Sequence, residues 1–416
     1  MINQICNCCG INRRDFIKLS SLFTASAGLS IAVNGCTLEN PNPPPPEENT
    51  TTTPSTGGGL DQPVKIGYLP ILDASPLLIA HGRKEYEAQG LTIVEPVLFR
   101  SWASIVEAFL AKQINVVHLL SPITVWLRYG QKFPGKIVAW NHVDGSALTV
   151  LPEINTVQDL GGKTIAVPFW YSIHNLVLQQ LLKQANLKVI TQSGDVTPKA
   201  DEVALVVMPP PEMVSALANK SIAGYIVAEP FNAAAETKNT GKLLRLTGDV
   251  WKNHACCVVF LHEEDINNRP DWTQGVVSSI VKSQSWMRQN RGEVAKILAT
   301  ENGKYTPHPE AVLQKVLTGF DPQFYAKEGA IKHLDWESQR IDFQPYPFPS
   351  YTENLVTLLK DTQVEGEVTF LQDLDPKFVA TDLVDDTFVK KAIAEAGGFQ
   401  AFNIPESLTR EENFAV

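Results

Sequence analysis

From Val64 onward the chain repeats one unit, a short β-type run followed by a helical stretch across a brief connection, and few folds other than an open sheet covered by helices accommodate that alternation. Runs at 64–69, 91–98, 114–119, 136–140 and 147–151 read as strands. Stretches at 76–83, 103–112 and 122–129 read as helices, the last opened by Ser121 as cap and Pro122 at its first position. A second series begins after Pro152, with helices expected at 156–160, 173–185, 210–218 and 230–238 and strands at 163–167, 203–208 and 222–227. The chain then returns through strand-like runs at 243–246 and 256–261 to a mostly helical region, expected at 270–290, 294–300, 309–318 and 351–361. Two α/β lobes with two crossings follow: residues 63–150 and 250–416 form lobe 1, and residues 151–249 form lobe 2. A small molecule is expected in the cleft between them, since open sheets bind at strand ends and domain boundaries.

With 416 residues, 44% of them hydrophobic, the chain can bury two cores. Its formal net charge of −10 and lack of a basic run argue against nucleic acid or an anionic bilayer surface as partner. After the first forty positions no stretch of 18 or more uncharged apolar residues occurs, so the body is not expected to span a membrane. The N-terminus reads differently. Arg13-Arg14 precedes a charge-free apolar segment at 19–33, short for a spanning helix but suited to a signal-peptide core, and the arginine pair resembles a twin-arginine export signal. Cys36 after Gly35 looks like a bacterial lipobox, in which that cysteine is lipidated, although Val33 and Asn34 replace the usual leucine and small residue. Residues 1–36 are therefore read as an address, and 37–62, rich in Pro, Thr and Gly, as a disordered tether of about 3.1 Å per extended residue.

Cys6, Cys8 and Cys9 fall in the removable segment and only Cys256-Cys257 remain in the body, which gives no disulfide framework. That pair sits in a Val/Phe/Leu run and reads as a buried strand. No Gly-x-Gly-x-x-Gly, Walker-type loop, Gly-x-Ser-x-Gly elbow or His-Glu-x-x-His occurs, so nucleotide, triad and zinc-hydrolase chemistry find no support. No metal and no cofactor is expected.

Six segments, in order, carry a resemblance: Ile66 to Leu77; Ser101-Trp102-Ala103; His118-Leu119-Leu120-Ser121-Pro122; Val207 to Val214, with its triple proline; Ala228-Glu229-Pro230-Phe231-Asn232-Ala233; and Thr247 to His254. Together they look like the nitrate- and bicarbonate-binding proteins of cyanobacterial ABC transporters, within the wider nitrate/sulfonate/taurine receptor family, over about residues 63 to 300. The resemblance implies a two-lobed periplasmic-binding-protein fold of type II. It also implies a periplasmic receptor that closes on a small oxyanion and delivers it to a permease/ATPase complex; the Cys36 reading adds a tether to the inner membrane, and a monomer is expected because transport receptors usually act singly. Trp102, His174 and Lys252 match the family's anion-contacting tryptophan, histidine and lysine. Ser146 and Ala228 stand where nitrate receptors have a glutamine and a glycine, a departure that suits a differently shaped anion. A lysine at 252 suits nitrate or nitrite, whereas bicarbonate receptors of this branch carry an acidic residue there and use calcium. Asp73, Ser75 and Glu229 are expected around the site or at the hinge, with Ser75 before Pro76 also readable as a helix cap.

Each of these residues has an ordinary structural reading beside the functional one. Trp102 at a helix start, and His174 after Phe169-Trp170-Tyr171, could both be core packing, and Lys252 a solvated turn residue. Three other functions compete with oxyanion capture: a receptor for an organic sulfonate or other small organic solute, a signalling receptor, and an enzyme like the pyrimidine-precursor synthases that share the fold. An export signal argues against the last.

Overall fold

The computed structural model describes residues 60, 62–191, 197–336 and 338–416. The expected export segment with Cys36, and all of the 37–62 tether but its end, lie outside those residues. In chain order the strands are β1 (Ile66–Tyr68), β2 (Val97–Leu98), β3 (Val116–Leu120), β4 (Gly135–Trp140), β5 (Val143–Asp144), β6 (Ser146–Val150), β7 (Lys163–Val167), β8 (Lys188–Thr191), β9 (Glu202–Val207), β10 (Gly224–Ala228), β11 (Lys242–Leu246), β12 (Cys257–His262) and β13 (Ile341–Asp342).

They form two main sheets, β2-β1-β3-β12-β4 and β11-β6-β10-β7-β9-β8, with β5 and β13 as a separate pair. Within the first sheet β1 runs parallel to β2 and β3, while the returning β12 is antiparallel to β3 and β4. The second is parallel through β10, β7, β9 and β8, with β6 antiparallel to β10 and β11. Every residue of β3 is buried, four apolar side chains and His118, as expected of a strand covered on both faces. Complete burial of Val116, Val117, Leu119 and Leu120 contributes roughly 1.5–3 kcal/mol per side chain.

Helix starts follow local chemistry. The helix α1 (Ser75–Gly82) begins Ser-Pro, with Pro76 where a missing N–H costs nothing. In α2 (Trp102–Leu110), Ser101 accepts from the Ser104 amide, and in α3 (Ile173–Gln184), Ser172 accepts from Asn175. The expected helix at 122–129 is α-helical only over Ser121–Val125 and continues as a wider π turn, Trp126–Gly130. The expected strand at 91–98 pairs only at Val97–Leu98, plus an isolated bridge from Ile93 to Val64, because this edge of the sheet is exposed. The edge strand β8 had no period-2 signal and was not anticipated.

Two features refine the expected lobe boundaries. The strand β6 lies in the second sheet, so the first crossing is at 141–145, ahead of Ser146. Asp144 (φ 58°) and Gly145 (φ 82°) make the left-handed turn there, and a Cβ on Gly145 would meet Ile341 at 2.9 Å. Parts of the C-terminal region also dock on lobe 2. Tyr325 and Ala330 cover Ala147, Leu243 and Leu246 of β6 and β11, an apolar face left open by the lobe's own helices. Farther on, Gln363 bonds Asn175 and Gln179 of α3, while Phe414 bridges Trp251 at the second crossing.

Candidate functional site

Both crossings and the end of β1 bring polar side chains together with no exposure. Asp73 sits in the single turn after β1, His142 follows β4 on the first crossing, and on the second Cys257 opens β12 with Cys256 just before it. Hydrogen bonds fix the cysteines: the Ser121 amide donates to the Cys256 carbonyl at 2.9 Å, and Cys257 pairs with Leu120. Just before them the Ala255 carbonyl accepts from the Ser121 and Tyr351 hydroxyls. Cys256 precedes the regular strand, so the usual opposite facing of neighbouring strand residues does not apply, and both thiols join one group with Asp73 and His142, the donor atoms all within 4.8 Å of one another. The Cys257 thiol donates to Asp73 Oδ2 at 3.2 Å, and His142 Nε2 lies 3.0 Å from the same oxygen while accepting from the Cys257 amide at 3.2 Å.

Lobe 2 reaches this group through the start of α3. His174 Nε2 is 2.9 Å from Ser146 Oγ and 3.8 Å from Cys256 Sγ, and Ser146 Oγ is 3.9 Å from the same sulfur. Ala228, at the end of β10, is paired in register with Ser146 and forms the adjoining wall. On the lobe 1 side Trp102 stands edge-to-face against His118, ring centres 5.5 Å apart. The Leu69 amide donates to His118 Nε2 at 3.0 Å, which leaves the proton of the neutral ring on Nδ1.

Charge states follow from burial. The His118 imidazole is lowered to about 3 by desolvation. Burial raises the Asp73 carboxyl. Burial alone would lower His142, but the Asp73 carboxylate outweighs it and pushes that imidazole up to about 10, so the pair holds on to a proton between them. Burial would likewise raise the Cys256 thiol; the neighbouring Cys257 side chain and the His174 and His142 imidazoles outweigh it and hold it well below the usual thiol range. The Cys257 thiol is pushed up, by burial and then by Cys256 and Asp73.

Several unpaired polar atoms fall on these residues. Trp102 Nε1, His118 Nδ1, His174 Nδ1, Asp73 Oδ1, Asn141 Oδ1 and His142 Nδ1 are buried with no hydrogen-bond partner among the described residues. Native structures leave few buried polar groups unmatched, so these atoms make the group a candidate for holding a polar guest.

Of the residues singled out from sequence, Trp102, Ser146, His174, Ala228 and Asp73 belong to this region. Ser75 and Glu229 do not touch the group. The Ser75 hydroxyl donates to the Leu72 carbonyl at 2.6 Å, and Glu229 pairs with Arg340. Lys252 is half-buried on the turn before His254, its amide donating to the Asn413 carbonyl, and among the described residues its ammonium has no hydrogen-bond or ion-pair partner. His118, Asn141, His142 and the paired cysteines were not singled out as site residues. Their signal was a polar residue inside or just past an apolar run, which by itself reads as core.

A model of the NMT1-like family matches residues 58–299. The nitrate/nitrite binding protein NrtA of Nostoc sp. is 26% identical over 398 residues, covering 86% of this chain and 86% of that protein. The bicarbonate-binding protein CmpA of Synechococcus elongatus is 27% identical over 440 residues, covering 96% and 92%. Among solved structures, the periplasmic nitrate-binding protein NrtA from Synechocystis matches with a TM-score of 0.69 at 18% identity, covering 84% of this chain and 93% of that one, a likeness of fold.

Proposed function

We propose, from the premise that this chain belongs to the NMT1-like family, that it is the solute-binding component of an ABC importer and captures a small oxyanion, nitrate or nitrite, between its lobes. The observation that carries the reading is the pair of buried, unmatched N–H donors of lobe 1, Trp102 Nε1 and His118 Nδ1, together with the buried Ser146–His174 contact of lobe 2. An oxyanion accepts from such donors, and the α3 N-terminus adds its dipole on the same side. Hydrogen bonds to a charged acceptor contribute about 1.5–3 kcal/mol each, so three or four reach the roughly −8 kcal/mol of micromolar binding. Ala228 beside Ser146 narrows the pocket on one wall. Since the contacts come from both lobes, a bound anion favours closure, the form a permease can distinguish from the open receptor. The protein acts outside the cytoplasm, exported by its N-terminal 36 residues and held near its permease and ATPase by a lipid on Cys36. Labelling with a radioactive fatty acid, lost in Cys36→Ser, is the expected result for that anchor.

Isothermal titration of the chain with nitrate, nitrite, bicarbonate with and without calcium, and taurine tests the solute. Micromolar heat from nitrate or nitrite, weakened about tenfold or more in Trp102→Phe, is expected from the loss of one donor to a charged group. Heat from taurine alone transfers the assignment to an organic sulfonate, and silence toward all four removes the oxyanion reading.

A further inference from the structure

We propose that Asp73, His142, Cys256 and Cys257 form a four-coordinate site for a thiophilic divalent cation of the zinc class, placed where the two interlobe crossings meet. All four side chains are sealed from solvent. The donor set is one carboxylate, one imidazole and two thiols, the combination that suits zinc and disfavours calcium or magnesium.

Spacing supports the assignment. Bonds of about 2.0–2.3 Å place the ligands of tetrahedral zinc about 3.3–3.8 Å from one another. Here Cys257 Sγ is 3.2 Å and His142 Nε2 is 3.0 Å from Asp73 Oδ2, and no two of the four donor atoms are more than 4.8 Å apart. A small outward shift of the side chains opens the centre.

The thiols have no better use. Adjacent Cα atoms are about 3.8 Å apart, below the roughly 4.4 Å at which disulfides begin, and both cysteines are free. Asp73 Oδ1 and His142 Nδ1 are buried with no partner among the described residues, so the group is under-satisfied as it stands. Asp73 Oδ2 meets both His142 Nε2 and the Cys257 thiol, so the donor atoms already converge on one point, where a cation would serve the carboxylate, the ring and both sulfurs together.

Four protein ligands leave no open position, the pattern of a structural rather than a catalytic ion. Asp73 comes from the turn after β1, His142 from the outgoing crossing and the cysteines from the returning one, so the ion would staple both connections to lobe 1. The solute reading is not needed for this argument.

The test uses the full chain with Cys6, Cys8, Cys9 and Cys36 changed to Ser, leaving Cys256 and Cys257 as its only thiols. It is produced under reducing conditions in medium supplemented with zinc or with cobalt. One metal ion per chain is expected, with the cobalt form showing sulfur-to-metal charge-transfer absorption and the visible bands of a tetrahedral centre. Affinity read by competition with a chromophoric chelator should fall about 100-fold or more in Cys256→Ser/Cys257→Ser, and in Asp73→Asn by less. Metal content far below one per chain, cobalt absorption without thiolate charge transfer, or full affinity in the double variant would each overturn the proposal. The cobalt spectrum is read on chains with the four ligands intact, so it decides even if the double variant does not fold.

Discussion

Arg340 and Glu229 meet with neither side chain exposed, Arg340 Nη2 standing 2.6 Å from Glu229 Oε1 and Nε 2.8 Å from the same oxygen. Glu229 follows β10, the strand paired with Ser146, and Arg340 comes from the C-terminal region, so the pair ties that region to lobe 2. Glu236 at 2.8 Å and the Tyr325 hydroxyl at 2.6 Å complete the guanidinium's partners. Removing one member of a buried pair strands the other charge, which costs about 3–5 kcal/mol. Arg340→Ala should therefore unfold at markedly lower urea concentration than the parent, with Glu229→Gln affected less because a neutral amide remains. A midpoint unchanged in Arg340→Ala would show that the pair contributes nothing to stability.

Acid should weaken the fold from about pH 6.5 downward, where imidazoles of the unfolded chain begin to protonate. His118 and His308 both hold the segment after β1, the first accepting from the Leu69 amide and the second donating from Nε2 to the Pro70 carbonyl at 2.9 Å. Desolvation lowers His118 to about 3 and His308 to about 4. Unfolded imidazoles protonate near 6.5, so between there and those values the unfolded chain binds more protons and stability falls as pH falls. The loss begins near pH 6.5 and levels off below about 4 for His308 and about 3 for His118. Denaturant midpoints measured from pH 7.5 to 4.5 should decline, and His308→Gln, which keeps a donor to Pro70 without titrating, should flatten the decline.

The lobe 2 contact and the turn lysine should separate in binding. His174 contacts Ser146 within lobe 2 and Cys256 on the second crossing, whereas Lys252 is without a side-chain partner among the described residues. We expect His174→Ala to weaken anion binding by about tenfold or more, the loss of one charge-assisted hydrogen bond, and Lys252→Ala to change it by less than that. Titration calorimetry on the two variants decides, and the reverse order would give Lys252 the leading role.

Much of this arrangement was legible in the sequence because the lobes are built from local signals. The helical patterns expected at 103–112 and 173–185 locate the helices that carry Trp102 and His174, and the apolar runs of β3 and β7 announce their strands. What local signals could not convey was convergence. His142, Asp73 and Cys256-Cys257 are each a short polar interruption beside a buried strand, and only the antiparallel return of β12 between β3 and β4 brings them together. Docking of Tyr325 and Ala330 on lobe 2 was equally hidden, because the uncovered face of β6 and β11 exists only once the sheet has formed. The pairing of Glu229 with Arg340 joins residues far apart in sequence, and no periodicity encodes it.

Gly248 sits where the crossings press together, and its lack of a side chain is required by Asp144. A Cβ there would lie 2.7 Å from Asp144 Cγ and 2.8 Å from its Oδ1. Asp144 cannot easily yield: it is buried, its backbone is in a left-handed turn, and its Oδ1 lies 3.1 Å from His254 Nδ1 on the other crossing. Gly248→Ala should thus force the crossings apart and cost about 1–3 kcal/mol, the range for overpacking a filled interior. Adding Asp144→Gly removes the clashing atoms and suits the positive φ at that position, so the double variant should recover part of the loss even though the contact with His254 is gone. Urea unfolding of the two single variants and the double variant measures this. Additive losses in place of recovery would mean that the strain at Gly248 does not act through Asp144.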